Sequence, residues 1–396
     1  MARITLIIYT FLMYSFVCGF TLLFTYKADK SNNSLYFKAY SVLAILVPSI
    51  FAGLRGLNVG TDIMVYAYQT FEKAGAYSHI AEFLDKASIE IGYAFIAYVC
   101  KHLFGSIQAF LGVTAMLQVI PIYLCAVKLR KKFDMIWPIM VYMMVFYVVG
   151  FNVMRQSIAA CWILLAYVYL EEKNYIKMVL ACIIAILFHS TGIFGALFLG
   201  LAIILDKIKN KKILLFICAC FFLTFVFLMQ YWSTILIFMG KYGFLGQDKI
   251  IGYSNMFSGK SASNYFFSMD TAQYAETIFK VLLFIPAIMF RRRSKDQYFN
   301  TSFGIYLIGT LVYLYFVIIH HTSYGYRLSI YAEFFLIILL PFLLAKDRGK
   351  HTTGRIALRR MPIKTLLTFL IVFLNWLIMF VVLQSHGTYP FKFFFE

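Results

Sequence analysis

Apolar runs long enough to cross a bilayer recur along almost the whole chain, and no other feature restricts its fold so severely. A helix needs about 20 mostly apolar residues to span the hydrocarbon layer. Ten stretches meet or approach that length: 4–25, 37–53, 107–127, 135–151, 152–170, 213–239, 272–290, 300–320, 323–345 and 363–384. Inside lipid the backbone must bond to itself, so such runs become helices. The expectation is an all-α polytopic integral membrane protein with about ten full transmembrane helices, forming one domain over residues 1–396. Composition agrees: 62% of the residues are hydrophobic, against about 45–50% in soluble domains. The first run is longer than a signal-peptide core and has no small-residue cleavage site after it, so it is read as a span that stays.

Two stretches depart from the pattern. Residues 90–104 are apolar but interrupted by Glu90, Lys101 and His102, and are read as a surface or re-entrant helix. Residues 175–205 are broken at His189-Ser190-Thr191-Gly192 and are read as two half-helices meeting at His189. Six loops then share one side: 26–38, 128–134, 171–177, 206–212, 291–296 and 346–364. They carry 24 of the 36 Lys and Arg residues, and an excess of basic residues marks the cytoplasmic side. The net charge of +19 is therefore an orientation signal, and no nucleic-acid partner is expected. The longest outer loops are 54–89 and 240–271, the second rich in aromatic and amide residues such as Tyr242, Tyr253, Asn255 and Asn264. The seven cysteines lie mostly inside apolar runs without metal-ligand spacing, and are read as packing residues.

Polar residues that could carry chemistry fall on the outer side in this topology. Arg55-Gly56-Leu57-Asn58-Val59-Gly60-Thr61-Asp62 directly follows a span. Its glycines allow a tight turn or close approach to a ligand. Thr61 could cap a helix starting near Asp62, putting Tyr66 and Gln69 on one face. Arg155 and Gln156 open the span that begins near Asn152, and an arginine there needs an anionic partner. His189 breaks an apolar segment and could act as a base or hold a phosphate. Tyr324 and Arg327 lie near an outer turn that also holds His320 and His321; two adjacent histidines with no carboxylate at ligand spacing do not make a metal site. Glu276 and Lys280, four residues apart, are expected to neutralise each other. No nucleotide-binding, metalloprotease or serine-hydrolase motif is present in the sequence, so any substrate must arrive activated.

The order and spacing of Arg-Gly-x-x-Val-Gly-Thr-Asp-x-x-x-Tyr (Arg55 to Tyr66), Arg155-Gln156, Phe188-His189-Ser190 and Tyr324-x-x-Arg327 resembles the EpsG family, which is allied to Wzy-type O-antigen, capsule and exopolysaccharide polymerases. The resemblance implies a GT-C-like fold in the bacterial cytoplasmic (inner) membrane with its active face outward. It implies an inverting, metal-independent glycosyltransferase without a cofactor. Such an enzyme joins undecaprenyl-pyrophosphate-linked oligosaccharide repeat units among membrane lipids, alongside flippase and chain-length regulator proteins. Asp62 is then the first choice for general base and His189 the second. Arg55, Arg155 and Arg327 are candidates for the diphosphate, and Gly60, Thr61, Tyr66, Gln156 and Tyr324 for substrate binding. Other readings are a flippase or exporter of lipid-linked oligosaccharide, and an O-antigen ligase-like transferase.

Overall fold

The computed structural model describes residues 2–208, 210–231, 234, 238, 271–291, 296–319, 322–345 and 363–396. The 240–271 loop apart from Thr271, His320 and His321, the arginine run 292–293 and most of loop 346–364 lie outside the described residues. The described chain is helical throughout. Its long helices are α1 (Ala2–Lys30), α2 (Ser34–Gly53), α6 (Ile107–Leu129), α8 (Met154–Glu171), α11 (Lys211–Gln230) and α14 (Gln297–Ile318). Shorter ones are α3 (Tyr68–Ala74), α4 (Ile80–Lys86), α5 (Ile91–Phe104), α7 (Ile136–Val141), α9 (Tyr175–Phe188), α10 (Gly192–Asp206), α12 (Thr271–Leu282), α13 (Phe284–Arg291), α15 (Thr322–Glu333), α16 (Leu336–Leu344) and α17 (Ile363–Trp376).

Among the described residues, six helices are long and apolar enough to cross a membrane, or seven if the bent pair α15–α16 counts as one span. Seven of the ten expected runs are accounted for in this way; the other three are shorter or less apolar as helices, and one of them is only partly described. The 135–151 run is a short apolar helix over Ile136–Phe146 that then loosens into turns, and 213–239 is described as an apolar helix only over Lys212–Leu228. The 152–170 run becomes α8, which begins with Arg155 and Gln156 and is not among the long apolar helices. The two irregular stretches follow their expected form. Residues 91–104 make a helix too short to span, and 175–206 split into α9 and α10 around His189. The charges in α5 have a partner: Lys101 pairs with Glu72 at 3.0 Å and lies 4.5 Å over the Phe71 ring, tying α5 to α3.

Local sequence explains several boundaries. Asn33 caps α2 by accepting from the Leu35 and Tyr36 amides, and Ser106 caps α6 through the Ala109 amide. A one-residue turn at Leu283 separates α12 from α13, where Pro286 has no amide for the Leu282 carbonyl four residues back. Crossing of α2 and α6 needs Gly53, where a Cβ would stand 2.8 Å from the Gln108 carbonyl oxygen.

Helix α8 is the hub. It is buried around nearly its whole circumference and packs against α6, α9, α10 and α15. The last residues fold back as a strap over the 54–62 loop. Gly56 N–H donates to Lys392 O at 2.8 Å, Phe394 N–H to Leu54 O at 2.9 Å, and Gly60 N–H to Gly387 O at 2.8 Å. Phe391 anchors the strap. It is fully buried, stacks on Phe51 at 4.4 Å, and its amide donates to Thr10. Truncating a buried Phe costs about 3–5 kcal/mol. Phe391→Ala is therefore expected to lower the midpoint of thermal unfolding in detergent, with a loss comparable to that of a core truncation in α8; an unchanged midpoint would show that the strap is not docked.

Candidate functional site

Three segments meet at Glu90, the residue just before α5. Its Oε2 accepts from Arg155 Nη1 at the start of α8, and its Oε1 accepts from the Ser190 amide in the α9–α10 break at 3.3 Å. The Arg155 guanidinium also lies 4.5 Å over the Tyr66 ring and 5.9 Å from that of Tyr93. Burial alone would raise the Glu90 carboxyl; Arg155 and His189 beside it override that and hold it below the usual range. The anionic partner that Arg155 required is thus a protein carboxylate. Along the chain Glu90 shows only as an interruption in an apolar run, and which cation it meets is not legible there.

The break itself is organised by Thr191. Its amide donates to His189 Nδ1 at 3.2 Å, and its hydroxyl contacts the same nitrogen at 2.7 Å. A backbone amide can only donate, so the neutral imidazole carries its proton on Nε2. The Thr191 hydroxyl also meets Tyr331 OH at 2.8 Å and Gln156 Nε2 at 3.3 Å, and Gln156 Nε2 donates to the Arg327 carbonyl. Gln156 is buried and braces α15.

The motif loop differs from its expected form. Residues Ile63–Ala67 make a π-turn preceded by Asp62, with no side-chain cap. The Thr61 hydroxyl instead donates to Asn152 Oδ1. The wider turn leaves Gln69 exposed, while Tyr66 stays against Arg155. Gly60 has φ +103°, and a Cβ there would stand 2.7 Å from the Phe151 carbonyl oxygen, so only glycine fits. Arg55 is buried with 1% exposure, beneath the loop. Its Nη1 donates to Ala52 O at 2.5 Å and its guanidinium lies 4.3 Å over the Phe151 ring. Burial lowers its pKa to about 10, so it stays charged. It holds the loop from inside and is not among the residues that line the large cavity.

A polar cavity of about 370 Å³ opens between the motif loop, α12, α15 and the strap. Thr61 and Asn152 line one wall, Arg327 and Tyr326 another, Gln273 and Glu276 a third, and His386 comes from the strap. Asp62, Arg155, Tyr66 and His189 stand outside the lining, and Tyr324 packs against the main core. Asp62 still feels the cavity's cation. Burial raises its pKa to about 6, against the pull of Arg155 and Arg327 and a hydrogen bond from the Met154 backbone. His386 was missed by sequence reasoning. It has φ +66°, rare for a residue with a side chain, and its Nδ1 is 3.5 Å from Asn152 Nδ2. Nothing in the sequence near the C-terminus marks it. No group of three or more metal-ligating side chains occurs among the described residues.

The fold and site define a polytopic, all-helical membrane protein with a cavity lined by Arg327 and Glu276. The chain belongs to the EpsG family, whose model matches residues 38–393, nearly the whole length; EpsG is a family of Wzy-type polymerases. No curated protein and no solved structure matches it.

Because the folded pKa of Asp62 lies above its unfolded value near 3.9, the folded state binds more protons between the two. Stability from this group is therefore full below about pH 4 and is lost as pH rises through about 6. The unfolding midpoint of the wild type should fall relative to Asp62→Asn across that window. A difference that stays constant from about pH 4 to about pH 7 would contradict a raised carboxyl.

Proposed function

We propose that this chain joins lipid-linked oligosaccharide repeat units into a polysaccharide at the outer face of the bacterial cytoplasmic membrane, as an inverting, metal-independent glycosyltransferase. The observation that carries this reading is Arg327, an exposed guanidinium on a cavity whose lining also holds the Asn152 and Gln273 amides, the Thr61 and Ser385 hydroxyls, two tyrosines and the Glu276 carboxylate. Guanidinium groups bind phosphate oxygens in a bidentate way, and the surrounding groups suit sugar hydroxyls. Membership of a polymerase family supplies the reaction class. The donor in this reading is undecaprenyl-pyrophosphate-linked, supplied by a flippase and regulated in length by a partner protein. A GT-C-like architecture belongs to the same reading.

Leaving-group departure is the step the site serves best. The anomeric carbon arrives activated by diphosphate, and Arg327 neutralises charge as the bond breaks. Arg155, held by Glu90, and Asp62 lie behind it. Asp62 balances the two arginines and orients them. His189 acts through Thr191 and Gln156 on the backbone of Arg327; with its Nδ1 already occupied, it is a positioning residue in this reading.

Cells lacking the chain, complemented with wild type or Arg327→Ala, test this on their lipid-linked and exported glycans. Removing one oxyanion-type donor costs roughly 10²–10³-fold in rate. Arg327→Ala should erase the polymer ladder while single repeat units still reach the outside. Accumulation of repeat units on the cytoplasmic side would mean an exporter, and polymer left on its lipid carrier would mean a ligase-like transferase.

A further inference from the structure

An inverting transfer also needs a group to take the proton of the attacking hydroxyl. Among the described lining residues of the large cavity, Glu276 is the one carboxylate. It sits in the second turn of α12, and its side chain is 19% exposed. Behind it lies a buried set of charges. Lys280 Nζ is 2.6 Å from Glu276 Oε1 and 2.6 Å from Glu333 Oε1. The Ser329 hydroxyl donates to Glu333, and the Tyr313 ring lies 3.7 Å from the ammonium. The expected pairing of Glu276 with Lys280 is present, but Glu333 from α15 shares the same lysine.

Two carboxylates on one ammonium leave one surplus negative charge. Burying an uncompensated charge is costly, and carboxylates that share a site hold a proton more readily than an isolated one. Glu333 is 7% exposed and lines, with Lys280 and Glu276, a smaller cavity of about 60 Å³ beside the large one; of the triad, Glu276 is the member that lines the large cavity, where a sugar has room. Neither Asp62 nor His189 lines the cavity.

The geometry points to Glu276 as the proton acceptor for the attacking sugar hydroxyl, with Lys280 and Glu333 positioning its carboxylate. The inference rests on the polymerase reading above. In the step, the hydroxyl oxygen of the acceptor unit bonds to the anomeric carbon of the donor. The bond from that carbon to the diphosphate oxygen breaks, and its electron pair leaves with the diphosphate beside Arg327. The hydroxyl proton passes to Glu276, which later releases it to water. Nothing is oxidised or reduced. Inversion requires acceptor and leaving group on opposite faces of the sugar ring, and Glu276 and Arg327 reach the cavity from different helices, α12 and α15.

The experiment is the initial rate of polymer formation in membranes that hold their own lipid-linked repeat units, normalised to the amount of this chain. It compares wild type, Glu276→Gln, Glu333→Gln and Asp62→Asn with membranes lacking the chain. Glu276→Gln keeps shape and a hydrogen-bond acceptor for Lys280 but loses basicity, and should cut the rate about 10²-fold or more. Glu333→Gln removes the same formal charge and weakens the positioning of Glu276 but leaves the proton acceptor in place, so it should cost clearly less than Glu276→Gln. Equal losses in these two variants, a wild-type rate in Glu276→Gln, or a large loss confined to Asp62→Asn would each overturn the assignment. If Glu276→Gln fails to accumulate, Glu276→Asp decides: it keeps the charge but withdraws it by one methylene, and a wild-type rate would overturn the proposal while a loss of about 10-fold or more at normal level would support it. Polymer formed equally well without the chain would instead sink the polymerase reading itself.

Discussion

The ion pair between Glu90 and Arg155 is the contact on which the site depends. One carboxylate accepts from the start of α8 and from the amide after His189, so it ties the central helix to the α9–α10 break. Breaking a buried pair by removing one partner is strongly destabilising, because the other charge is left uncompensated. The pair also keeps Arg155 against Tyr66, which fixes the motif loop above α8. Thr191 extends the same frame through Gln156 to the Arg327 backbone. The exposed guanidinium on the cavity wall is thus held by polar contacts reaching back to the loop before α5.

A second constraint acts from below. Arg55 is a cation buried among Phe151, Met154 and the Ala52 carbonyl, with no salt bridge to a carboxylate among the described residues. Its charge is met by ring faces and backbone dipoles, which cost less to organise in an apolar setting than a second buried ion. The C-terminal strap closes this pocket, bonding to Leu54, Gly56 and Gly60. That closure carries His386 into the cavity, and the left-handed backbone there is sustained by the contacts on both sides of it. Gly60 shows the same tightness: the loop runs so close to Phe151 that a methyl group does not fit.

The three arginines separate in the fold. Arg55, Arg155 and Arg327 are alike in sequence as diphosphate candidates, because a guanidinium binds phosphate oxygens in a bidentate way. Only Arg327 reaches the cavity. Arg155 is matched by Glu90 and Arg55 by an aromatic ring. Spacing along a chain shows that a cation stands near a membrane edge; it does not show whether protein or substrate neutralises it. The same applies to the carboxylates. Asp62 drew attention through its motif, whereas Glu276 reads in sequence as half of a neutral i, i+4 pair until Glu333, 53 residues from Lys280, joins it.

The amino-acid sequence by itself determined the all-helical, membrane-embedded character, the short helix at 91–104, the break at His189 and the family, because hydropathy and short motifs are local properties. It did not separate spans from buried segments: among the described residues, 135–151 and 152–170 do not form long apolar helices and are largely buried in protein, and burial in protein and burial in lipid select the same side chains. Tertiary structure alone decided which polar groups share a cavity. The Thr61–Asn152 bond, the Lys280–Glu333 pair and the docking of the strap on Gly60 all join segments far apart in the chain. Their partners are chosen by packing and by the cost of leaving a buried polar group unpaired, and neither is written in any one stretch of sequence.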